Sequence, residues 1–196
     1  MNPLLIDLPI PIRTPRLLMR PLQAGDGKEL NAAILESYEQ LHQWMEWATE
    51  KPSLESSELF AREASAEWIL RKNLYLLIFD STGTNLIGAS GYNFIDWDVP
   101  SLAIGYWIRT ELAGQGYITE AVNALTRYAF EQLHFVRIEI RCDADNQKSK
   151  GVAERLHFVL EGNLKNSARK MDGALRDTLV YARYDTKNLP ELDVQW

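Results

Sequence analysis

Cysteine is nearly absent from this sequence, which has a single thiol, Cys142, and three histidines among its 196 residues. One thiol cannot form an internal disulfide, and these residues are not spaced as zinc ligands are, so the sequence predicts a reducing compartment and no metal site. Hydrophobic residues are not scarce. They make up 46% of the chain, which excludes a disordered or fibrous protein.

Long hydrophobic runs are missing as well. The longest uninterrupted run spans residues 74–79, far short of the roughly 20 residues that cross a bilayer. The first 22 residues are interrupted by charges and prolines and lack the pattern of a secretion signal. We therefore expect a soluble, cytoplasmic protein with no membrane partner.

Positive charge is in deficit, since 21 lysines and arginines stand against 27 aspartates and glutamates, for a formal net charge of −6. An acidic surface repels nucleic-acid phosphates, so we expect no direct binding of nucleic acid. The same charge favours a cationic partner, although it is also common on soluble proteins that have none.

No internal repeat or linker divides the chain, and strand and helix patterns alternate along it. This alternation predicts one α/β domain over residues 1–196, with a mixed, mostly antiparallel sheet flanked by helices. Strands are predicted over residues 16–22, 74–79, 86–94, 101–108, 136–142, 158–164 and 178–184, and helices within 23–48, 53–71, 117–133 and 147–156. The second helix is predicted to bury Leu59, Phe60, Ala64, Trp68 and Ile69, and the segment after residue 185 to be loosely held.

A glycine-rich helix start is the strongest local feature. The predicted strand 101–108 is followed by a short loop and by Gly114-Gln115-Gly116-Tyr117, which opens an amphipathic helix. Free N–H groups at a helix start attract anions, and glycines let a phosphate approach the backbone. The pattern indicates a site for a phosphorylated cofactor, with a plain helix start as the alternative.

Two nucleotide-binding motifs fit this loop poorly. A P-loop needs Gly-Lys followed by Ser or Thr, whereas Tyr117 and Ile118 follow Gly116. A dinucleotide fingerprint needs a third glycine where Thr119 stands, and a parallel βαβ unit rather than the antiparallel meander predicted here. Hydrolysis of ATP or GTP is therefore disfavoured, and a dinucleotide remains only a weak possibility.

Three separated motifs together resemble the GNAT acetyltransferases. They are RLLMRPL at residues 16–22, the strand, Gly-x-Gly and helix block, and RCDADNQKS with GVAERLHFVLEG at residues 141–149 and 151–162. The similarity runs from about residue 11 to 184 and is greatest to the RimJ/RimL branch, which acetylates the N termini of ribosomal proteins. It implies a GNAT-like fold in which acetyl-CoA lies between two splayed central strands, 101–108 and 136–142.

The resemblance also implies roles for individual residues. Backbone amides of the glycine loop would hold the pyrophosphate, and one strand would pair with the pantetheine arm. Asn146 matches a position that contacts this arm; its alternative role is a helix cap, and one residue could serve in both. The implied cofactor-binding residues are Tyr106, Trp107, Ile108, Gly114, Gln115, Gly116, Tyr117, Ile118, Thr119, Asn146 and Ser149.

Ser149 is the predicted catalytic residue. It shares one helix face with Val152, Ala153 and Leu156, by the spacing i, i+3, i+4, i+7. Many GNAT enzymes use a tyrosine further along to protonate the leaving thiolate. That tyrosine is missing here, and in RimL-like enzymes a serine at this place is the proposed substitute. The alternative is a buried serine bonded to its own helix.

The general base is not identified by the sequence. The carboxylate proposed for RimL-like enzymes falls near Ala168, and Glu139, Asp143 and Glu161 are the other candidates, each more typical of a solvated charge. Trp44, Trp47 and Trp68 lie where the family shapes its acceptor cleft. Core packing is their default role, with Trp44 or Trp47 as a candidate for lining the cleft.

The expected activity is acetyl transfer from acetyl-CoA to a primary amine, most simply the N-terminal α-amine of a protein such as a ribosomal protein. The alternatives are a small-molecule amine acetyltransferase and a non-catalytic acyl-CoA sensor. Either a monomer or a homodimer is compatible with the sequence. Cys142 is predicted to share a strand face with Ile138 and Ile140, either buried and inert or facing the cofactor thiol.

Overall fold

The computed structural model describes residues 2–196 as an eight-stranded sheet flanked by helices. The strands are β1 (Ile12–Arg13), β2 (Leu17–Pro21), β3 (Leu74–Asp80), β4 (Leu86–Asp96), β5 (Ser101–Ile108), β6 (Arg137–Asp143), β7 (Val159–Arg169) and β8 (Leu175–Arg183). The α-helices are α1 (Gly27–Glu36), α2 (Tyr38–Trp44), α3 (Leu54–Ile69), α4 (Tyr117–Glu131) and α5 (Gln147–Arg155).

The sheet has the order β1-β2-β3-β4-β5-β6-β8-β7. All neighbours are antiparallel except β5 and β6, which are parallel because α4 crosses between them. This confirms the predicted α/β fold with a mixed, mostly antiparallel sheet. None of the helices within residues 2–196 is long and apolar enough to pass through a bilayer.

The two parallel strands separate part-way along their length. β5 and β6 are in register only from Ser101 opposite Arg137 to Ala103 opposite Glu139. Beyond this point β5 remains bonded to β4 and β6 to β8, so each keeps one unpaired edge facing the other. The predicted splay is confirmed, and an open wedge lies in the middle of the sheet.

Helices cover the two faces of the sheet differently. On one face α4 packs its apolar stripe into the main core, where Ala121, Val122, Leu125 and Ala129 are fully buried. This stripe is as predicted, since those positions recur at helical spacing. The other face is covered by α1, α2 and α3 over β2 to β4, around a second, smaller core.

The buried face of α3 differs from the predicted one. Leu59, Phe60 and Ile69 are exposed, and the buried positions are Ser57, Ala61, Ala64 and Trp68. Small residues are needed here because α3 lies very close to α1. A Cβ atom on Gly27 of α1 would lie only 2.4 Å from Cα of Glu58. The close approach of α1 therefore determines which face of α3 is buried, more than the hydrophobicity of its side chains does.

The C-terminal segment is not loosely held, contrary to the prediction. Gln195 exchanges backbone hydrogen bonds with Arg13, and the carbonyl of Pro190 accepts from Asn123 on α4. Leu189 is buried, and the Trp196 ring meets Tyr128 edge to face, 5.9 Å between centroids. The local sequence contains no periodic signal for these contacts because they join residues far apart in the chain.

Candidate active site

The glycine loop has the backbone of an anion cradle. Gly114 and Gly116 have φ of +82° and +84°, in the left-handed region that favours glycine, and α4 begins directly after them at Tyr117. Gly116 occupies the N-cap position and has no side chain to cap the first turn. The N–H groups of Tyr117, Ile118 and Thr119 therefore face outward with the positive end of the helix dipole.

Arg16 on the approach to β2 braces this loop. Its Nη1 donates to the carbonyl of Gln115 (3.0 Å), its Nε donates to Glu120 (2.5 Å), and its guanidinium stacks 4.6 Å from the Tyr117 ring centroid. Glu120 also accepts from the hydroxyl of Thr14 at 2.6 Å. The cradle is thus fixed to the far side of the sheet by one ion pair and several hydrogen bonds.

A second arginine lies on the other side of the cradle. Arg155, at the end of α5, donates from Nε and Nη2 to the hydroxyl of Thr119, at 3.2 and 3.1 Å. Two guanidinium groups therefore flank the first turn of α4. Sequence reasoning assigned no role to Arg16, Glu120 or Arg155, because their partners are 36 to 106 residues away in the chain.

The predicted strand residues lie on the open edge of the wedge. Tyr106, Trp107 and Ile108 all follow Ala103, the last residue of β5 that pairs with β6. Main-chain groups along this edge are available to an extended ligand, which could bind as an added strand. The predicted site residues of β5 and of the glycine loop therefore border one continuous opening.

Ser149 lies at the floor of this wedge. Asn146 caps α5 by accepting a hydrogen bond from the Ser149 N–H at 3.1 Å, so its predicted capping role is confirmed. Ser149 is half-buried, while Val152, Ala153 and Leu156 on the same helix face are buried, as predicted. The Ser149 hydroxyl is 3.0 Å from the phenol oxygen of Tyr106, across the gap between β5 and α5.

Cys142 is a neighbour of Ser149 at the end of β6. It is buried with Ile138 and Ile140 on one face of the strand, as the period of two predicts. Burial raises the pKa of the Cys142 thiol, and a hydrogen bond from Ser149 partly offsets that rise. The effect of Ser149 on this pKa places its hydroxyl and the Cys142 sulfur in the same part of the structure.

Two of the candidate bases are engaged in ion pairs. Arg137 binds both Glu139 (2.6 Å) and Glu161 (2.5 Å), and this partner lowers the pKa of Glu161. Glu139 is also bound to Arg141 at 2.7 Å. Both carboxylates are thus held as charged partners of arginine, which is the solvated-charge role that the sequence favoured.

The third candidate, Asp143, is buried where β6 ends. It accepts from the backbone N–H of Asp145 at 2.8 Å and lies 3.6 Å from Arg176, which in turn binds Glu46 at 2.6 Å. Ala168 pairs with Arg176 across β7 and β8 and carries no carboxylate to this site. Arg176 therefore links the segment after α2 to the β7–β8 hairpin.

The tryptophans of the helical region have different surroundings. Trp68 is buried in the core, Trp44 is half-buried, and Trp47 is 51% exposed. The Trp47 ring lies 6.4 Å from that of Trp107, which belongs to the wedge strand β5. Trp47 is thus the member of the pair that approaches the wedge from the face opposite α4.

Comparison with known proteins adds family evidence to this geometry. Residues 16–159 match the family model described as an acetyltransferase (GNAT) domain. The chain is 29% identical over 171 residues to the ribosomal-protein-serine acetyltransferase of Escherichia coli K12, covering 83% of this chain and 95% of that one. It is 30% identical over 172 residues to YdaF of Bacillus subtilis 168, named a candidate ribosomal N-acetyltransferase, covering 85% and 90%.

Solved structures share the same architecture. RimL, an α-N-protein acetyltransferase of ribosomal L7/L12 solved with a disulfide between coenzyme A and one of its cysteines, has a TM-score of 0.83 and 25% identity, covering 92% of this chain and 99% of its own. The microcin C7 self-immunity acetyltransferase MccE, solved with acetyl-CoA and AMP, has a TM-score of 0.80 and 26% identity, covering 87% and 93%.

Proposed function

Because the chain belongs to the GNAT acetyltransferase family and so is an acetyl-CoA-dependent acyltransferase, we propose that it acetylates the N-terminal α-amine of a protein. The observation that supports this most strongly is the wedge, which opens beside a glycine cradle and has a serine hydroxyl at its floor. The relatives named for ribosomal proteins support a protein acceptor, in a cytoplasmic setting.

The residues present fit the cosubstrate. A Cβ atom at Gly114 would meet nothing within 4 Å, and one at Gly116 would meet only Nη2 of Arg16 at 3.4 Å, so the glycine backbone is open to a pyrophosphate. Arg155 adds positive charge beside it, whereas the charge of Arg16 is paired with Glu120. The open edge of β5 at Tyr106, Trp107 and Ile108 matches an extended amide-bearing arm. Acetyl-CoA, when bound, supplies the acetyl group as a thioester from which the amine displaces the thiol.

The chain's own residues would position the two reactants and stabilise the leaving group. Main-chain N–H groups at the splay would orient the thioester carbonyl and stabilise the charge that develops on its oxygen. Ser149 would donate a hydrogen bond to the departing sulfur, since its hydroxyl lies beside the open edge of β5, 3.0 Å from the Tyr106 phenol oxygen. Cys142 would lie near the same sulfur, in keeping with the coenzyme A disulfide reported for RimL.

A protein N terminus suits a site whose carboxylates are paired with arginines. At pH 7 an α-amine with a pKa of about 7.7 to 8.0 is roughly 10% neutral, whereas a lysine amine near 10.4 is well below 1% neutral. No base is then required to prepare the nucleophile. The net charge of −6 would assist the approach of a basic partner.

A panel of amines tests this proposal through thiol release from acetyl-CoA. We expect kcat/KM for short peptides with a free N terminus to exceed, by about 10-fold or more, that for N-blocked lysine peptides and for spermidine. With peptides, kcat/KM should rise with pH through the pKa of the α-amine, about 7.7 to 8.0, and level off near pH 9, where most of the amine is neutral. Faster turnover of spermidine or of blocked peptides would contradict an N-terminal acceptor.

A small-molecule amine is the second candidate acceptor, and the similarity to MccE, solved with acetyl-CoA and AMP, favours including it. The panel should therefore contain an aminoacyl nucleotide analogue and an amino sugar. Preference for either one over every peptide would support this alternative. Tight acetyl-CoA binding without turnover of any amine would instead support an acyl-CoA sensor.

A further inference from the structure

The phenol of Tyr106 is tied to Ser149 by two contacts. Its oxygen lies 3.0 Å from the Ser149 hydroxyl and 3.2 Å from the Ser149 carbonyl oxygen. Tyr106 belongs to β5 and Ser149 to α5. These contacts therefore cross the wedge in its open part, beyond Ala103, the last residue of β5 that pairs with β6. The side chain itself packs against the main core.

One phenol hydrogen cannot serve both acceptors fully. When it is donated to the carbonyl, the Ser149 hydroxyl is free to donate to the phenol oxygen. When it is donated to the Ser149 hydroxyl oxygen, the hydrogen of Ser149 must point elsewhere, and the wedge is the open direction. The pair therefore has two hydrogen-bond arrangements that differ in where the serine's proton points.

Tyr106 retains its own proton in either arrangement. Burial raises the pKa of the phenol, and the hydrogen bond with Ser149 only partly opposes that rise. A buried tyrosinate would be costly here, so Tyr106 is suited to donate a hydrogen bond and not to supply a proton.

We propose that Tyr106 is a positioning residue, whose phenol donates to Ser149 and so directs the serine's hydrogen toward the sulfur that leaves acetyl-CoA. This inference rests on the proposed function. As the C–N bond forms and the C–S bond breaks, the sulfur departs with the electron pair and is stabilised by Ser149. The proton released by the amine reaches that sulfur through water, and Tyr106 returns to its starting state.

The test measures the thiol of bound coenzyme A directly. Cys142→Ala removes the protein's single cysteine, and subtracting a matched titration with desulfo-coenzyme A cancels tyrosine ionisation, so that the remaining thiolate absorbance reports the bound ligand. In this background, Tyr106→Phe should raise the pKa of the bound thiol by about 0.5 to 1, the equivalent of one hydrogen bond. Ser149→Ala should raise it at least as much, and Ser149→Thr, which keeps a hydroxyl, should retain most of the lowering.

The double variant distinguishes positioning from direct contact. If Tyr106 acts through the serine, Tyr106→Phe has no further effect once Ser149 is alanine. Tyr92→Phe is the matched control, because the Tyr92 phenol is buried and donates only to the carbonyl of Leu125, at 2.6 Å. It should leave the thiol titration unchanged, with melting temperatures confirming that each variant is folded.

Two results would overturn the inference. One is an unchanged thiol pKa in Tyr106→Phe, and the other is an equal rise whether or not Ser149 is present. Kinetics supply the second readout, with kcat in Tyr106→Phe expected to fall about 10-fold while KM for acetyl-CoA stays within about 2-fold. If the predicted titration pattern holds and no amine is turned over, the proposed function fails, and what stands is that Tyr106 lowers the pKa of the bound thiol through Ser149.

Discussion

The two sides of the wedge, which we propose as the cofactor side and the acceptor side, are built in different ways. The cofactor side, residues 101–155, is one continuous stretch of β5, α4, β6 and α5, and it presents mainly backbone amides. The proposed acceptor side consists of the segment after α2, whose Trp47 lies near Trp107 of β5, and of the β7–β8 hairpin, which the contact of Glu46 with Arg176 joins to that segment. Local segments thus form the general part of the site, and distant segments form the part that would select the acceptor.

Among the substitutions that test the two sides of the wedge, Ser149→Ala should have the largest effect on activity. If its hydroxyl stabilises the leaving thiolate, kcat should fall about 100-fold, with little change in the KM for acetyl-CoA. Steady-state kinetics at saturating acceptor would measure this. Ser65→Ala is the control, since Ser65 is a half-buried serine on α3 away from the wedge. Equal turnover per folded molecule would leave Ser149 with a purely structural role.

Gly116→Val tests the cradle and should have the next largest effect. We expect the Kd for acetyl-CoA to increase about 10-fold or more, because a branched side chain would stand where the pyrophosphate approaches. The left-handed backbone adds strain of about 1 to 2 kcal/mol to any such variant. Isothermal titration calorimetry and thermal melting would separate the two effects.

Gly173→Val is a matched control for that strain. Gly173 has φ of +85°, close to the +84° of Gly116, but it lies in the exposed turn between β7 and β8. Both variants carry the same backbone strain, and Gly116→Val also brings its Cβ within 3.4 Å of Nη2 of Arg16, so its loss of stability should be equal or larger. Only Gly116→Val should lose affinity for acetyl-CoA. Equal Kd values in the two would remove the phosphate role from the loop.

The sequence was most informative where the structure depends on neighbouring residues. The glycine cradle, the stripe of α4 and the Asn146 cap follow from spacing alone, because each involves residues within a few positions of one another. The wedge, by contrast, could be predicted only from the family resemblance, because neither strand carries a local signal that the two separate. The roles of Arg16 and Arg155 were missed because their partners lie far away in the chain.

Errors arose where contacts between distant segments overrode local hydrophobicity. The face of α3 was predicted from its large apolar residues, yet Ala61 and Ala64 are buried because α1 approaches closely at Gly27. The segment after residue 185 has little periodicity, yet it is fixed by contacts with Arg13 and Asn123. Neither partner can be identified without the three-dimensional fold.

Glu46→Ala should have a smaller effect, and that effect should be confined to binding of the acceptor. It removes the contact that joins the segment after α2 to Arg176 on the hairpin. Because Glu46 is largely exposed, the lost ion pair with Arg176 contributes at most about 1 kcal/mol. KM for a peptide acceptor should therefore rise about 2- to 5-fold. The Kd for acetyl-CoA should not change.

Arg62→Ala is the control for that experiment, because it breaks an exposed ion pair with Glu58 on α3, outside both sides of the wedge. It should leave both parameters within experimental error. If Glu46→Ala instead raises the Kd for acetyl-CoA and leaves peptide KM unchanged, the contact of Glu46 with Arg176 serves the cofactor and not the acceptor. The proposed division of the wedge into two sides would then be wrong.

Cys142 provides the most modest prediction, because its reaction is slow. Burial raises the pKa of its thiol, so the reactive thiolate is scarce at neutral pH and its reaction with a disulfide should accelerate as pH rises. If Cys142 faces the sulfur end of the cofactor site, coenzyme A disulfide should form one mixed disulfide, detected by intact mass spectrometry. Glutathione disulfide, which the cradle cannot hold, should react several-fold more slowly under the same conditions.

Equal rates for the two disulfides would indicate that local opening exposes the Cys142 thiol. The absence of any adduct on folded protein would place Cys142 in the core as an inert residue. Blocking of the faster reaction by excess acetyl-CoA would connect it to the wedge, because the cosubstrate and the disulfide would then compete for one site.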